Sequence, residues 1–394
     1  MGNTIARDRF TWLMYLTLGY YAYLLNALGP VMPFLRTELG LSYTLSSVHF
    51  SLFAGGMLVA GLGTDRISKR YGRHLTFWFG VLGMALSTTM LLAGHHPWLT
   101  MPAAFLMGAI GTILLVIIPA VLTDRYGNQR AVAIAEANVV ASLCSVLAPV
   151  IVGLFVGARL SWRAALVIPV LAAFLFSLVF HQISLPDPVS LADRSHHAKP
   201  KLPGLYWAYW SILVLVVSVE FCIIFWGSTF LEKERGFVPA NAAAVMSLFL
   251  GAMVVGRLLG SRLAYRMRSE RLVLGSIAVC GLGFVVHWWT TSPVLTIAGL
   301  FVAGIGIANL YPQTLTLAVG VSATQTDQAS ARASLASGIA ILVLPLILGG
   351  LADHIGLRYA YGLISVLLLL AGIGIILSDR KPPVPESPGY SCGR

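Results

Sequence analysis

Long apolar segments separated by short polar connectors run through the whole chain. Each segment has roughly twenty residues or more, the length that a helix needs to cross a hydrocarbon core of ~30 Å. We therefore predict an all-α integral membrane protein with twelve transmembrane helices, over residues 10–35, 43–64, 74–94, 98–123, 130–157, 162–184, 206–231, 239–264, 271–291, 293–320, 329–351 and 357–378.

The composition supports a membrane protein and disfavours a soluble one. Of the 394 residues, 57% are hydrophobic and 10% are charged, whereas soluble domains carry about 25% charged residues. Cys144, Cys222 and Cys280 fall inside predicted helices and Cys392 lies near the C-terminus, with no spacing typical of a metal site or a disulfide framework. We expect neither a metal nor a cofactor.

Basic residues concentrate in alternate connectors, most densely in GLGTDRISKRYGRH, residues 61–74. Connectors that stay in the cytoplasm carry an excess of Lys and Arg. This pattern predicts that both termini are cytoplasmic and that the chain lies in the inner or plasma membrane. It also accounts for the net charge of +11 without a nucleic-acid partner, and it favours contacts with membrane lipids.

The chain repeats itself. SLFAGGMLVAGLGTDRI, from Ser51, matches SLFLGAMVVGRLLGSRL, from Ser247, and the same shift of 196 positions pairs other prolines and glycines across the two parts. One register kept over such a length predicts two parallel six-helix bundles. We place them at residues 1–184 and 206–379, joined by a cytoplasmic linker at 185–205 and followed by a cytoplasmic tail at 380–394.

The connector at 61–74 is similar to the loop motif GxLxDRxGRR of the major facilitator superfamily, with extra residues between Asp65-Arg66 and Gly72-Arg73. With the helix count and the repeat, the chain resembles this superfamily over almost its whole length. The resemblance implies a secondary transporter, not an enzyme, that works as a monomer by alternating access to a midplane site. It also implies that the second helix packs beside the eleventh and the fifth beside the eighth.

Charged residues near the cytoplasmic ends of the helices form a predicted gate between the halves. We expect Glu136 to pair with Arg257 on the facing helix, and Arg332 to lie within reach of Asp65. These contacts would break when the cytoplasmic mouth opens. In the alternative, Glu136 and Arg332 bind substrate in the cavity. The predicted gate comprises Asp65, Arg66, Arg73, Glu136, Arg257 and Arg332.

Glu220 lies deep in the seventh predicted helix, within LVVSVEFCIIFWGSTF. Charged groups inside a membrane are costly and usually serve a function or are paired. Among the apolar neighbours Phe221, Phe225 and Trp226, the carboxyl group is the leading candidate to bind and release a proton. Two alternatives are a carboxylate that holds a cationic substrate and a neutral carboxyl hydrogen-bonded to Ser218.

Polar and aromatic residues on the first, seventh and tenth predicted helices are candidates for the substrate cavity, because they offer stacking surfaces and hydrogen bonds. They are Tyr20, Tyr23, Asn26, Trp226, Asn309, Tyr311 and Gln313. Pro149 and Pro345 interrupt the fifth and eleventh helices and are predicted hinges. The first, fourth and tenth helices show no clear midplane Lys or Arg, which disfavours an anionic substrate.

These features predict a secondary active transporter for a small organic solute, neutral or cationic, coupled to protons and slightly favouring export. One alternative is an importer or facilitator of a polar or anionic metabolite, sugar-like or a carboxylate. Another is a transporter-like sensor or lipid-handling protein.

Overall fold

The computed structural model describes residues 7–185, 202–322 and 325–379. Residues 186–201 of the predicted linker and the whole tail at 380–394, with Cys392, lie outside the described residues. Within the described ranges the chain is helical, without strands. The all-α membrane fold predicted from the sequence is confirmed.

The first part of the chain forms six long helices. They are α1 (Arg9–Leu39), α2 (Tyr43–Tyr71), α3 (Arg73–Ala93), α4 (Pro97–Tyr126), α5 (Arg130–Gly157) and α6 (Trp162–Phe180), with a short 3-10 turn at Gly127–Gln129 between α4 and α5. α2 continues about two turns past its predicted end at residue 64. The polar residues that follow the apolar segment are therefore helical, which the length of the apolar segment alone does not predict.

The second part forms eight helices that make six passes. They are α7 (Gly204–Arg235), α8 (Pro239–Ala264), α9 (Ser269–Trp289), α10 (Pro293–Ile307), α11 (Leu310–Gly320), α12 (Thr326–Ile355), α13 (Leu357–Tyr361) and α14 (Leu363–Asp379). α10 and α11 form one pass broken near Asn309, and α13 and α14 form another broken at Gly362. The described ranges therefore hold twelve passes. Ten segments of the described ranges are long and apolar enough to cross a membrane. This number is lower than twelve because α4 and α5 are counted as one segment and because the tyrosine-rich α1 is not among the ten.

The sequence repeat reappears in the packing. A Cβ atom on Gly108 of α4 would lie 1.9 Å from the Phe53 carbonyl oxygen of α2, and one on Gly304 of α10 would lie 2.6 Å from the Phe249 carbonyl oxygen of α8. These pairs are related by the shift of 196 positions. Small residues allow close helix approach in membranes, so both parts use the same backbone contact.

Contacts between the two parts follow the pairing that the resemblance implied, because α5 packs on α8 and α12 packs on α2. Each contact contains a glycine of the repeat. Gly153 of α5 faces Ala240 and Ala244 of α8, whereas Gly349 of α12 faces Ser47 of α2.

The ends of the helices define two faces. We call the face where α1 begins and where α2 is joined to α3 the amino-terminal face. The face where α1 is joined to α2, and α7 to α8, is the opposite face. There, α1 and α7 end at Gly40 and Gly236, whose φ values of 61° and 68° place them in the left-handed region that favours glycine.

Candidate functional site

A cavity of two lobes lies along α7 and α8, and its smaller lobe lies between the two parts of the molecule. One lobe, of about 580 Å³, is lined by α7, α8, α11, α12 and the break before α11. A second lobe, of about 220 Å³, is lined by α1, α4, α5, α7 and α8. Glu220, Phe221 and Arg257 line both lobes. The two lobes therefore meet at these three side chains.

Glu220 and Arg257 are the charged side chains of this lining. Arg257 of α8 lies near enough to Glu220 of α7 to interact electrostatically. Within the described ranges, neither side chain has a hydrogen bond or an ion pair to another residue. Arg257 was predicted to belong to the gate as the partner of Glu136. The pair is absent here, since Arg257 lies in the cavity beside Glu220 and Glu136 pairs with Arg7. Because the gate contacts are predicted to break when that face opens, the pairing stays a prediction for the closed state.

Four of the predicted cavity residues line it: Asn26 lines the smaller lobe, and Asn309, Tyr311 and Gln313 line the larger one. The Asn26 Nδ2 atom donates to Ser145 Oγ of α5 at 3.0 Å. This side chain therefore joins α1 to α5 at the cavity wall.

Asn309 occupies the break between α10 and α11. Its Nδ2 atom donates a 2.8 Å hydrogen bond to the carbonyl oxygen of Gly256 on α8. Its amide also lies against Gly260, where a Cβ atom would be 1.8 Å from Asn309 Oδ1. Because Gly256 immediately precedes Arg257, this contact anchors the stretch of α8 that carries the cavity arginine.

Tyr20 and Tyr23 were wrongly predicted as cavity residues. The Tyr20 hydroxyl donates to the Val81 carbonyl oxygen of α3 at 3.3 Å, and the Tyr23 hydroxyl donates to the Ala165 carbonyl oxygen of α6 at 2.8 Å. Successive helical residues are about 100° apart. The cavity face of α1 carries Leu18, Tyr21, Ala22, Leu25 and Asn26. Tyr20 and Tyr23 point away from it, into the first bundle.

Trp226 was also wrongly predicted to line the cavity. It is fully buried, and its Nε1 atom donates to the Pro345 carbonyl oxygen at 3.2 Å. Its ring contacts Phe50 and Tyr43 of α2, and the neighbouring Phe225 stacks on Phe50 with ring centroids 4.1 Å apart. These rings close the molecule between the cavity and the opposite face.

Two further contacts complete this closure. A Cβ atom on Gly29 of α1 would lie 2.1 Å from the Ile224 carbonyl oxygen of α7, so the two backbones touch. At the opposite face, the Asp353 carboxylate of α12 accepts hydrogen bonds from the backbone nitrogens of Tyr43 and Thr44 at the start of α2, at 2.9 and 2.8 Å. The cavity is sealed on this side.

Sequence reasoning missed several lining residues, including Tyr21, Phe221, Ser142, Ser145 and Ser337. For Tyr21 a signal existed, because its spacing to Leu18 and Leu25 follows one helical face. The serines of α5 and α12 lack such a signal, since small polar residues are common in membrane helices.

A family model described as Major Facilitator Superfamily matches residues 12–325 and 271–391. The chain belongs to the major facilitator superfamily. An uncharacterised MFS-type transporter of Yersinia pestis is 24% identical over 87% of this chain and 89% of its own length.

Solved structures of other transporters share the fold. A variant of the nucleoside transporter NupG superimposes with a TM-score of 0.79 at 14% identity, covering 94% of this chain and 98% of its own. A bacterial homologue of the human lysosomal transporter Spinster, in an inward-facing and occupied conformation, superimposes with a TM-score of 0.73 at 17% identity over 98% of this chain and 100% of its own.

In this superfamily member, Glu136 forms its contacts inside the first bundle. Its carboxylate accepts hydrogen bonds from Arg7 Nη2 at 2.7 Å and Tyr15 Oη at 3.0 Å. Both partners belong to α1 or the residues before it. The cavity separates α5 from α8 at the level of Ser142 and Arg257, which keeps Glu136 apart from its predicted partner.

The other predicted gate residues do not join the two parts in this conformation. Asp65 and Arg66 are exposed on α2. They lie closer to the amino-terminal face than Leu58, the residue of α2 that packs against Gly338 of α12. Arg73 pairs with Asp124 of α4 at 2.5 Å, inside the first bundle.

Arg332 does not form the predicted contact with Asp65. Its guanidinium lies over the Trp207 ring of α7, 5.3 Å from the centroid. Among the described residues, Asp65 has no ion pair. While the opposite face is closed, α2 and α12 are apart at the amino-terminal face, so the charges there pair within their own bundle or face solvent.

Pro149 and Pro345 lie within α5 and α12. Proline has no N–H group, so the carbonyl groups of Ser145 and Ile341, four residues earlier, lack their helical donor. Ser145 lines the smaller lobe and Ile341 the larger one. The backbone is therefore weakened beside the cavity in both bundles, at equivalent places, and the hinge role stays a prediction.

Proposed function

We propose that this superfamily transporter moves a small organic solute, neutral or cationic, by alternating access, and that Glu220 couples the movement to protons, with export favoured. The observation that carries the proposal is the place of Glu220, where the two lobes of the cavity meet. Contacts of α1 with α7 and of α2 with α12 close the molecule toward the opposite face. An ionisable group inside a membrane protein that faces a cavity is a typical site of proton or ion handling.

In this proposal the bundles at 1–184 and 206–379 rock against each other about the cavity, as a functional monomer in the inner membrane. The excess of Lys and Arg in the connectors supports a cytoplasmic amino-terminal face and cytoplasmic termini. The structure then represents the state that is open to the cytoplasm.

Glu220 is the carboxylate of the cavity, and the titratable groups around it are few. They are Arg257 of α8, Cys280 of α9, Tyr311 of α11 and Tyr21 of α1, while the cavity residues of α12 do not titrate. A proton and a cationic solute that bind the same carboxylate exclude each other. Because of this competition, the transporter would exchange the cationic solute for a proton across the membrane.

A second candidate function is the import or facilitated movement of an anionic or polar metabolite. The observation in its favour is Arg257, whose guanidinium faces the same cavity. Guanidinium groups bind carboxylates through two hydrogen bonds. A substrate held mainly by Arg257 would make Glu220 secondary.

The coupling role can be tested without knowing the solute. Spin labels at Tyr71 and Tyr265, which are exposed on the amino-terminal face, report the distance between the bundles in lipid. We expect the distance distribution to change between about pH 5.5 and about pH 7.5, because protonation of Glu220 alters its interaction with Arg257. Glu220→Gln is expected to abolish that change.

Glu270→Gln is the matched control, since Glu270 lies at the start of α9 near Arg268 and outside the cavity. It is expected to keep the response of the wild type. A response to pH that survives in Glu220→Gln would refute the coupling role. When a transported solute is in hand, Glu220→Gln is expected to prevent its accumulation and to spare its equilibrative exchange.

A further inference from the structure

We propose that the cavity binds a solute that carries a cationic and an anionic group together, an amino-acid-like zwitterion with an apolar side group. The inference rests on the proposed function and names its substrate class. It starts from the two charged side chains of the cavity, Glu220 on α7 and Arg257 on α8.

The two charges are presented to the cavity side by side. Both line the two lobes, so both are at the point where the lobes meet. They interact electrostatically, yet within the described part of the chain no hydrogen bond or ion pair joins them to each other or to a third residue. Each therefore offers its full hydrogen-bonding capacity to an occupant.

The cost of unpaired charge favours an occupant with two opposite groups. Arg257 is exposed and Glu220 is partly buried. A solute that displaces water from both groups must pair both, because a charge removed from water without a partner is strongly destabilising. An amine alone would pair with Glu220 and leave Arg257 without a partner. A carboxylate alone would leave Glu220 without one. A zwitterion satisfies both, with its ammonium on Glu220 and its carboxylate on Arg257.

The position of the arginine is constrained. Asn309, in the break between α10 and α11, holds the Gly256 carbonyl oxygen at 2.8 Å, one residue before Arg257. The Asn309 amide also fills the space beside Gly260. These contacts fix the backbone from which Arg257 extends, while its guanidinium has no partner among the described residues and is available to a carboxylate.

The rest of the larger lobe accepts an apolar group. Val217 and Phe221 of α7, Ala308, and Ile341 of α12 line it beside the two charges. Phe221 also offers a ring face on which an aromatic or aliphatic group can pack. The arrangement fits an amino acid whose side chain lies toward α11 and α12.

Matched sets of small molecules test this assignment on the purified full chain. One set is phenylalanine, phenethylamine and 3-phenylpropionate. The other is leucine, isopentylamine and 4-methylpentanoate. Within each set the molecules share the apolar group and differ in the charged groups. Binding is measured by calorimetry and by the rise in melting temperature, since ligands of the folded state raise its stability.

We expect the amino acid of at least one set to bind at least about tenfold more tightly than its amine and its acid, because hydrogen bonds to charged groups contribute this much or more. Arg257→Gln is expected to remove the advantage of the amino acid over the amine. Glu220→Gln is expected to remove its advantage over the acid. Glu270→Gln and Arg262→Gln, outside the cavity lining, are expected to bind like the wild type.

Equal binding of amine and amino acid would refute the zwitterion and indicate a cationic solute, and equal binding of acid and amino acid would indicate an anionic one. Failure of all six molecules to bind would also refute the assignment. None of these results would affect the coupling role of Glu220, which the distance measurement tests without any solute.

Discussion

Asp353 shows how one side chain can hold two bundles together. Its carboxylate lies on α12 and accepts hydrogen bonds from the first backbone N–H groups of α2 and from Thr44 Oγ1, which is 2.6 Å away. The N-terminus of a helix has unpaired N–H groups and partial positive charge, so it favours a carboxylate. The contact joins the bundles only while the opposite face is closed.

We therefore expect Asp353→Ala to increase severalfold the population that is open at the opposite face. Spin labels at His95 and Val238, which are exposed on that face, measure the distance between the bundles. Glu38→Ala is the matched control, because Glu38 pairs with Arg163 at 2.5 Å inside the first bundle. An unchanged distance in Asp353→Ala, or an equal change in Glu38→Ala, would contradict this role.

Residue-level prediction from sequence was most successful for polar groups in helices that border the cavity. Asn26 and Asn309 are costly to place against lipid, and both line the cavity. The cavity prediction failed for Tyr20 and Tyr23, because a tyrosine can bury its ring and donate a hydrogen bond from its hydroxyl to a backbone carbonyl group of a neighbouring helix. Residue type alone does not distinguish the two situations.

At the scale of elements, close backbone contacts decide which conformations the bundles can adopt. Gly29 of α1 touches the Ile224 carbonyl group of α7, with no space for a Cβ atom. In contrast, Gly251 of α8 has open space where its Cβ atom would be. These two helical glycines form a natural pair for comparison.

Gly29→Ala is expected to push α1 from α7 and to destabilise the state closed at the opposite face. Overpacking of this kind costs about 1–3 kcal/mol, which corresponds to a change of roughly fivefold or more in the population of that state. Gly251→Ala is expected to leave the population unchanged. The labels at His95 and Val238 report both variants, and equal distributions for the two would show that the contact does not control closure.

The glycines in and just before residues 61–74 contribute little to the contact between α2 and α12. Gly56 packs on the Phe105 carbonyl oxygen of α4, inside the first bundle, and Gly61 and Gly63 have open space around them. Only Gly55 approaches α12, with Leu342 at 3.5 Å from its Cβ position. The approach of α2 to α12 instead depends on Gly338 and Gly349 of α12, which face Leu58 and Ser47.

At the scale of the whole molecule, the two faces differ in charge and in closure. The opposite face is sealed, and the amino-terminal face carries the basic connectors with the exposed Asp65 and Arg66. The excess of Lys and Arg predicts that the amino-terminal face is cytoplasmic. Single cysteines on the two faces can test this orientation directly.

We expect a membrane-impermeant maleimide to label His95→Cys on intact cells, and to label Tyr265→Cys only after permeabilisation. Both positions are well exposed, His95 at the α3–α4 connector and Tyr265 at the end of α8. The native cysteines are first replaced by serine, and that variant without added cysteine is the background control. The reverse labelling pattern would contradict the cytoplasmic termini and would make the described state open to the outside.

The sequence by itself determined the number of passes, the internal repeat and the superfamily. These properties depend only on the order of residues along the chain. They follow from the length of each apolar segment, from the shift of 196 positions and from the spacing of the motif around Asp65. The repeat even anticipated the paired contacts at Gly153 and Gly349, because equivalent positions in equivalent bundles pack alike.

Only the tertiary structure decided which side chains face one another. The rotation of α1 about its axis turns Tyr21 toward the cavity and Tyr20 away from it. Because the cavity separates α5 from α8 at this level, Glu136 forms an ion pair with Arg7, and Arg257 lies near Glu220. Helix rotation and the opening between bundles result from packing over the whole molecule, so a linear pattern of apolar and polar residues does not contain them.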